Sequence, residues 1–295
     1  MEFGLQTYTI RKYQKKNMEA AYRPLAEMGI FNLEIARIDF TRENAIRIKG
    51  ITDKYGFCPV AIQVKPKHVF GNMDEVVEFC NITGCKNVVI SMLPFECILG
   101  KEERFYSFIS GLDSWFDRYA EHGITLAYHH HNWEYIKLSS DKTRMKELIE
   151  RTKLIKFVHD TYWTARCGIA PSLQIEEFGD RLLGIHLRDL TFKKRGIRVI
   201  PQNAAIGEGV IDFTAVLTAA DDPFTLGNVK LDTAGSTGEA YAEALPRRVG
   251  IERVGHLRSA CVLNENVHGI LDADIVTENA LVADISVIAL CVEVE

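Results

Sequence analysis

Residues 124–134 read Ile-Thr-Leu-Ala-Tyr-His-His-His-Asn-Trp-Glu, and the period of this stretch decides the architecture. Ile124, Leu126 and Tyr128 alternate with Thr125, Ala127 and His129. That is the pattern of a β-strand, whose successive side chains face opposite ways. With the bulky apolar set turned outward, Thr125, Ala127, His129 and His131 turn inward, and His130 points the other way. Immediately upstream, 102–121 carries Phe105, Phe108, Ile109, Leu112, Trp115, Phe116 and Tyr119 on one helical stripe. A strand fed by a helix is the repeating unit of a parallel α/β sheet.

The unit recurs on both sides. Strands are expected at 3–8, 31–36, 59–64, 87–92, 124–130, 155–160 and 182–188. Asp74 and Asp141 stand where helix N-caps are expected, and Gly29, Gly84 and Gly123 where helices stop. Pro24 cannot sit deep in a helix, so the first helix is expected to break or start near it. Seven β-α units are complete by about residue 220. An open doubly wound sheet alternates in the same way. A TIM-type (β/α)₈ barrel, which takes about 250 residues, suits the length of 295 and needs an eighth strand. Gly227–Asp232 is the candidate for it. All 15 Phe and all 3 Trp fall within the first 224 residues, so the composition changes beyond that point. The expected division is a barrel over 1–232 with a lid-like excursion at 191–210, then a last helix and an irregular extension over 233–295.

The same parity gathers polar groups. Gln6, Asn32, Glu34, Gln63, Lys65, Ser91, His129, His131, Asp160, His186 and Arg188 all turn inward, and all but Asn32 lie late in their strands. Late positions of parallel strands meet at the C-terminal face, where barrel active sites sit. Buried charge without a partner is costly, so this interior implies a metal, a substrate or mutual pairing. His129 and His131, at i and i+2 on one strand face, with Asp160 and His186 ending neighbouring strands, form a candidate site for one divalent metal. These donors suit Mn, Zn, Co or Fe rather than Ca. Each residue has a plainer reading as well. The His run also reads as a solvated strand end, Asp160 as a helix cap and His186 as a hydrogen-bonded core histidine. Glu134 and Glu34 are candidate catalytic carboxylates for moving a proton on and off carbon. Gln6, Gln63, Lys65 and Arg188 are candidate substrate contacts, the two cations serving equally as ion-pair partners. Gly207-Glu208-Gly209 lacks the spacing of a phosphate loop and reads as a turn closing the excursion.

Bulk properties narrow the class. The formal net charge is −5, which argues against a partner dominated by phosphate contacts and so against nucleic acid. No stretch is long and apolar enough for a membrane span, and the first residues do not form a secretion signal. The seven cysteines form no Cys-x-x-Cys pair. Reduced, mostly buried thiols in the cytoplasm are expected.

Several segments together resemble the sugar phosphate isomerase/epimerase group, the xylose isomerase-like barrels. They are Gly4-Leu5-Gln6-Thr7-Tyr8-Thr9, Leu33-Glu34, Tyr128-His129-His130-His131-Asn132-Trp133-Glu134, Asp160-Thr161-Tyr162-Trp163, His186-Leu187-Arg188-Asp189 and Gly207-Glu208-Gly209-Val210-Ile211-Asp212. The resemblance covers about residues 1–220. It implies a metal with Asp160 and His186 as ligands, His129 or His131 in place of the Glu common on strand five, and a Glu on strand eight. Asp232 is the nearest match to that last ligand. The implied activity is isomerisation or epimerisation of a small sugar or keto-sugar through an enediolate. The alternatives are a lyase of the inosose-dehydratase or keto-glycoside type at the same site, and a non-catalytic sugar-binding barrel. A homo-oligomer is compatible with either reading.

Overall fold

The structure, a computed structural model, describes residues 2–221 and 287–290. Seven strands fall where the period-two runs place them: β1 (Glu2–Gln6), β2 (Asn32–Ile35), β3 (Cys58–Val64), β4 (Asn87–Ile90), β5 (Thr125–His129), β6 (Lys156–Asp160) and β7 (Leu182–Leu187). Between them run α1 (Arg11–Lys16), α2 (Met18–Glu27), α3 (Arg42–Tyr55), α4 (Pro66–Gly71), α5 (Met73–Thr83), α6 (Phe95–Leu99), α7 (Glu102–Ser110), α8 (Leu112–Ala120), α9 (Arg144–Arg151), α10 (Thr161–Arg166) and α11 (Pro171–Phe178). A separate antiparallel hairpin, β8 (Asp189–Arg195) and β9 (Arg198–Ala204), precedes α12 (Phe213–Asp221).

β1 to β7 pair in parallel in sequence order. The ring is closed by β10 (Val287–Leu290), which runs antiparallel to both β1 and β7. The eighth place is thus held by a returning strand. Gly227–Asp232 and most of 233–295 lie outside the described residues. Among the described residues, no helix is long and apolar enough to cross a membrane.

Two apolar layers confirm the side-chain parity. Leu33, Ile35, Ile62, Val64, Leu126, Tyr128, Ile185 and Leu187 face outward into one core with the helices. Ala61, Val89, Ala127 and Val158 form a small second cluster inside the ring. Each large side chain withdrawn from water contributes about 1.5–3 kcal/mol, so the outer layer supplies most of the stability. The small inner residues leave room above them for the polar groups at the strand ends. Gly4 belongs to this economy of space, since a Cβ there collides with the Asn32 main chain.

The departures from the simple pattern are local. Leu183, expected outward, packs against the inner cluster, because the β6–β7 register shifts between Phe157 and Val158. The stripe at 102–121 is two helices meeting at Gly111. The first helical segment breaks at Asn17, which caps α2, while Pro24 lies inside α2. α5 follows Asn72, with Asp74 in its first turn. α9 is capped by Thr143, whose hydroxyl accepts from the Lys146 amide, while Asp141 takes a left-handed backbone. Gly29, Gly84 and Gly123 do adopt the positive φ of helix stops. Of the described thiols, Cys80, Cys85 and Cys97 are buried and Cys58 is exposed.

Candidate metal centre and active site

Asp160 is the last residue of β6 and the residue before α10, and its two oxygens are divided between those positions. Oδ1 accepts hydrogen bonds from the Tyr162 and Trp163 amides, at 3.0 and 3.2 Å, capping α10. Oδ2 faces the ring interior. It lies 3.5 Å from His129 Nε2, 3.9 Å from His186 Nδ1 and 3.1 Å from Arg188 Nη1. The cap fixes the carboxylate plane, and the plane aims the second oxygen.

The two imidazoles are oriented from behind. His129 Nδ1 lies 3.3 Å from the Ser91 carbonyl oxygen, which can only accept, so the ring proton sits on Nδ1. Nε2 then carries a lone pair, and it is buried without a hydrogen-bond partner. His186 Nε2 lies 2.8 Å from Glu34 Oε2, and the other Glu34 oxygen accepts from Gln6 Nε2 at 3.1 Å. This carboxylate–imidazole arrangement is the one that orients metal-ligating histidines. One ligand atom from each of His129, Asp160 and His186 lies within 4.8 Å of the others, and all three residues are buried. Bonds of about 2.0–2.1 Å to a tetrahedral ion put ligand atoms about 3.4 Å apart. The lone pair at His129, the ionised Asp160 and the oriented His186 therefore fit a divalent ion.

Charge follows geometry. Burial disfavours the imidazolium at His186, but Glu34, by charge and hydrogen bond, outweighs it and raises the pKa. Burial disfavours the charged forms of Glu34 and Asp160 too. His186 pulls Glu34 below the usual carboxylate range, and Arg188 with the His186 imidazole holds Asp160 well below it. His129 is lowered, chiefly by burial.

The other expected site residues divide. His131 lies outside the three-atom cluster but lines the same cavity, edge-on to His129 with centroids 4.9 Å apart. Its Nδ1 is buried and unpartnered, and burial pushes its pKa down to about 3. Gln63 lines the cavity with an unpartnered Nε2. Gln6 lines it while holding Glu34, and Arg188 lines it while donating to Asp160 and, at 2.8 Å, to Asn203 Oδ1. Lys65 does not join them. It is exposed at the N-cap position of α4, because Pro66 turns the chain into a helix where the strand parity had been extended. Glu134 does not reach the cavity either. Its carboxyl accepts from the Tyr128 hydroxyl and, at 3.0 Å, from the His131 amide, and burial pushes its pKa up. It braces the His run from outside the ring.

Tyr8 and Trp163 complete a cavity of about 160 Å³. Both stand in stretches that mark the site by sequence, one residue past a buried Thr7 and on the first turn of α10. Alternation along strands does not reach them. The Gly207-Glu208-Gly209 turn has its reason in Asp189. One oxygen of that carboxylate accepts the Gly207 and Gly209 amides at 2.9 and 2.8 Å, the other those of Leu190 and Ile211.

Seven parallel β-α units in a ring closed by one antiparallel strand, with two histidines and an aspartate converging at the C-terminal ends of the parallel strands, define a barrel protein with a candidate metal centre. The chain belongs to the xylose isomerase-like TIM barrel family, whose model matches residues 23–243. Among solved structures, a sugar phosphate isomerase/epimerase from Parabacteroides distasonis superposes with a TM-score of 0.60 at 19% identity, covering 78% of this chain and 86% of that one. A probable 3-DHS dehydratase of petrobactin synthesis from Bacillus anthracis superposes with 0.55 at 11% identity, covering 75% and 89%. A D-allulose 3-epimerase from Methylomonas sp. gives 0.50 at 13% identity, covering 68% and 73%. At such identities the likeness is one of fold. No curated protein matches the sequence.

Proposed function

We propose that this protein is a divalent-metal-dependent isomerase or epimerase of a small sugar or keto-sugar, moving a proton at the carbon beside a carbonyl through an enediolate. The observation that carries the reading is the inward lone pair of His129 Nε2, buried without a hydrogen-bond partner beside Asp160 Oδ2 and His186 Nδ1. A bound ion there would polarise the substrate carbonyl and stabilise the negative charge that develops on it. His129, Asp160 and His186 would hold it. Gln63 Nε2 is placed to donate to a substrate hydroxyl. Tyr8 and Trp163 supply flat walls that exclude water from a ligand of sugar size. With Glu34 engaged by His186 and Glu134 turned away, the proton falls to His131, a cavity-lining imidazole whose Nδ1 has no hydrogen-bond partner.

That division favours one second reading. Epimerisation needs a proton acceptor on each face of the carbon. Among the described cavity residues, one imidazole is unengaged and both glutamates are held elsewhere. A lyase needs a single acceptor and a departing group, so the same enediolate can end in loss of water or an aglycone. The test uses metal-reconstituted protein and a panel of ketoses and keto-glycosides in D₂O. Deuterium beside the carbonyl, in a product heavier only by the exchanged deuterium, supports the isomerase, and loss of a leaving group supports the lyase. Elemental analysis is expected to find about one equivalent of metal in the wild type and little in Asp160→Ala or His186→Ala. Equal metal in all three removes the proposed site.

A further inference from the structure

The residue beside each inward ligand points the other way, and in two adjacent strands that residue is histidine. His130 follows His129, and His159 precedes Asp160. Both are wholly buried outside the ring, between the strands and the Phe178 ring of α11. His130 Nε2 lies 3.1 Å from His159 Nδ1 and 3.1 Å from the Asp160 amide nitrogen. We infer that His130 and His159 are positioning residues that fix the spacing of His129 and Asp160, and thereby set the affinity of the metal site. The inference rests on the metal reading above.

The hydrogen-bond directions are determined by elimination. A backbone amide only donates, so His130 Nε2 carries a lone pair and accepts. The His130 proton is then on Nδ1, which lies 3.4 Å from the His131 carbonyl oxygen. Because His130 Nε2 accepts, His159 Nδ1 must donate to it. One nitrogen just past the end of β5 therefore accepts, through one shared lone pair, from both the main chain and a side chain of β6.

The position of this clasp gives it meaning. The β5–β6 ladder pairs Ala127 with Lys156, Tyr128 with Phe157 and His129 with Val158. Asp160 lies two residues beyond the last of these pairs. The imidazole pair takes over where the ladder stops, at the level of the ligands. Stability alone does not call for it. The surrounding layer is apolar, with Phe157 stacked on Phe178 at 4.4 Å, and His130 by itself satisfies the buried Asp160 amide, so that packing and hydrogen-bond satisfaction do not require the second imidazole. His159 Nε2 is in fact left without a hydrogen-bond partner. Retaining polar groups at such a place is the mark of geometric specification rather than of packing.

The test measures the dissociation constant for Zn²⁺ by competition with a chromophoric chelator. It uses the full chain stripped of metal, with far-UV circular dichroism and a melting curve in chelator for each variant. His130→Leu is expected to weaken Zn²⁺ binding about 10- to 100-fold, the range seen when groups behind metal ligands are removed. His130→Gln places an acceptor oxygen near the Nε2 position and is expected to restore affinity to within about threefold, a rescue that a packing role alone would not produce. His159→Leu and His159→Asn form a second pair, in which asparagine keeps the donor. If His130→Leu does not fold, this pair decides by the same criterion. Folded leucine variants that bind Zn²⁺ like the wild type overturn the inference, and so do leucine and amide variants that are equally impaired. A wild type that binds no Zn²⁺ overturns the metal reading as well, so the two failures are told apart.

Discussion

Asp160 shows how one side chain serves two ends through two atoms, and the roles can be separated by mutation. Asparagine keeps an oxygen for the Tyr162 and Trp163 amides but loses the charge that faces the two imidazoles. Asn and Asp are near equals as N-caps, whereas Ala at a cap costs about 1 kcal/mol. Asp160→Asn is therefore expected to bind little metal and, in urea with chelator present, to lose the contribution of the Arg188 ion pair but not that of the cap. Asp160→Ala is expected to lose the metal and a further 1 kcal/mol or so. Equal destabilisation by both would mean that the cap contributes nothing. Sequence left the capping and ligating readings of Asp160 open as rivals; the structure shows the cap on one oxygen and leaves the other beside His129 and His186, so the two readings are compatible. Sequence showed equally little of Glu34, because alternation places a carboxylate inside the ring but does not say that His186, 152 residues away, will occupy it.

At the scale of elements, what was legible was whatever a period of two or of 3.6 controls. All seven parallel strands and their inward faces follow from alternation. The failures come where an element ends or a register slips. Lys65 was assigned by carrying strand parity past β3 into a helix, and Glu134, taken as catalytic for its place after the His run, lies in a short turn that faces away from the cavity. Leu183 turned inward at a register shift that composition does not announce. The hairpin of β8 and β9 has its own anchor. Asp189 gathers four amides around its carboxylate, and a Cβ on Gly209 would run into that carboxylate and the Leu190 carbonyl. Gly209→Ala is expected to destabilise the fold by about 2 kcal/mol in urea titration, within the usual range for single substitutions that break a buried polar arrangement. Because Asn203 on β9 holds Arg188, the same variant is expected to loosen that contact at the cavity. Unchanged stability would show that the turn can retreat without cost.

For the whole molecule, closure of the ring was the least legible feature. The change in composition after Phe224 pointed to something irregular, and the strand between β1 and β7 comes from 287–290, while the expected 227–232 lies outside the described residues. The burial that closure creates governs how stability depends on pH. Without metal, the Glu34–His186 pair works in both directions. His186 has a raised pKa, so its contribution is complete below the unfolded imidazole value of about 6.5 and is lost as pH rises through the folded one. Glu34 has a lowered pKa, so its contribution is present above about 4.3 and is lost as pH falls through the folded value. The pair alone therefore favours mildly acidic solution. Metal reverses this preference, since ligation requires neutral imidazoles. His129 is already held neutral by burial, so His186 has the one proton that must leave. Below the His186 pKa, Zn²⁺ affinity is expected to fall about tenfold per pH unit, the slope for one proton and not two. At about 100 times its dissociation constant the ion should add roughly 2.7 kcal/mol to the unfolding free energy. Melting curves with and without Zn²⁺ from pH 5 to 8 check this. The metal increment should grow with pH while the metal-free protein weakens, and an increment that stays flat across that range would mean that His186 is not a ligand.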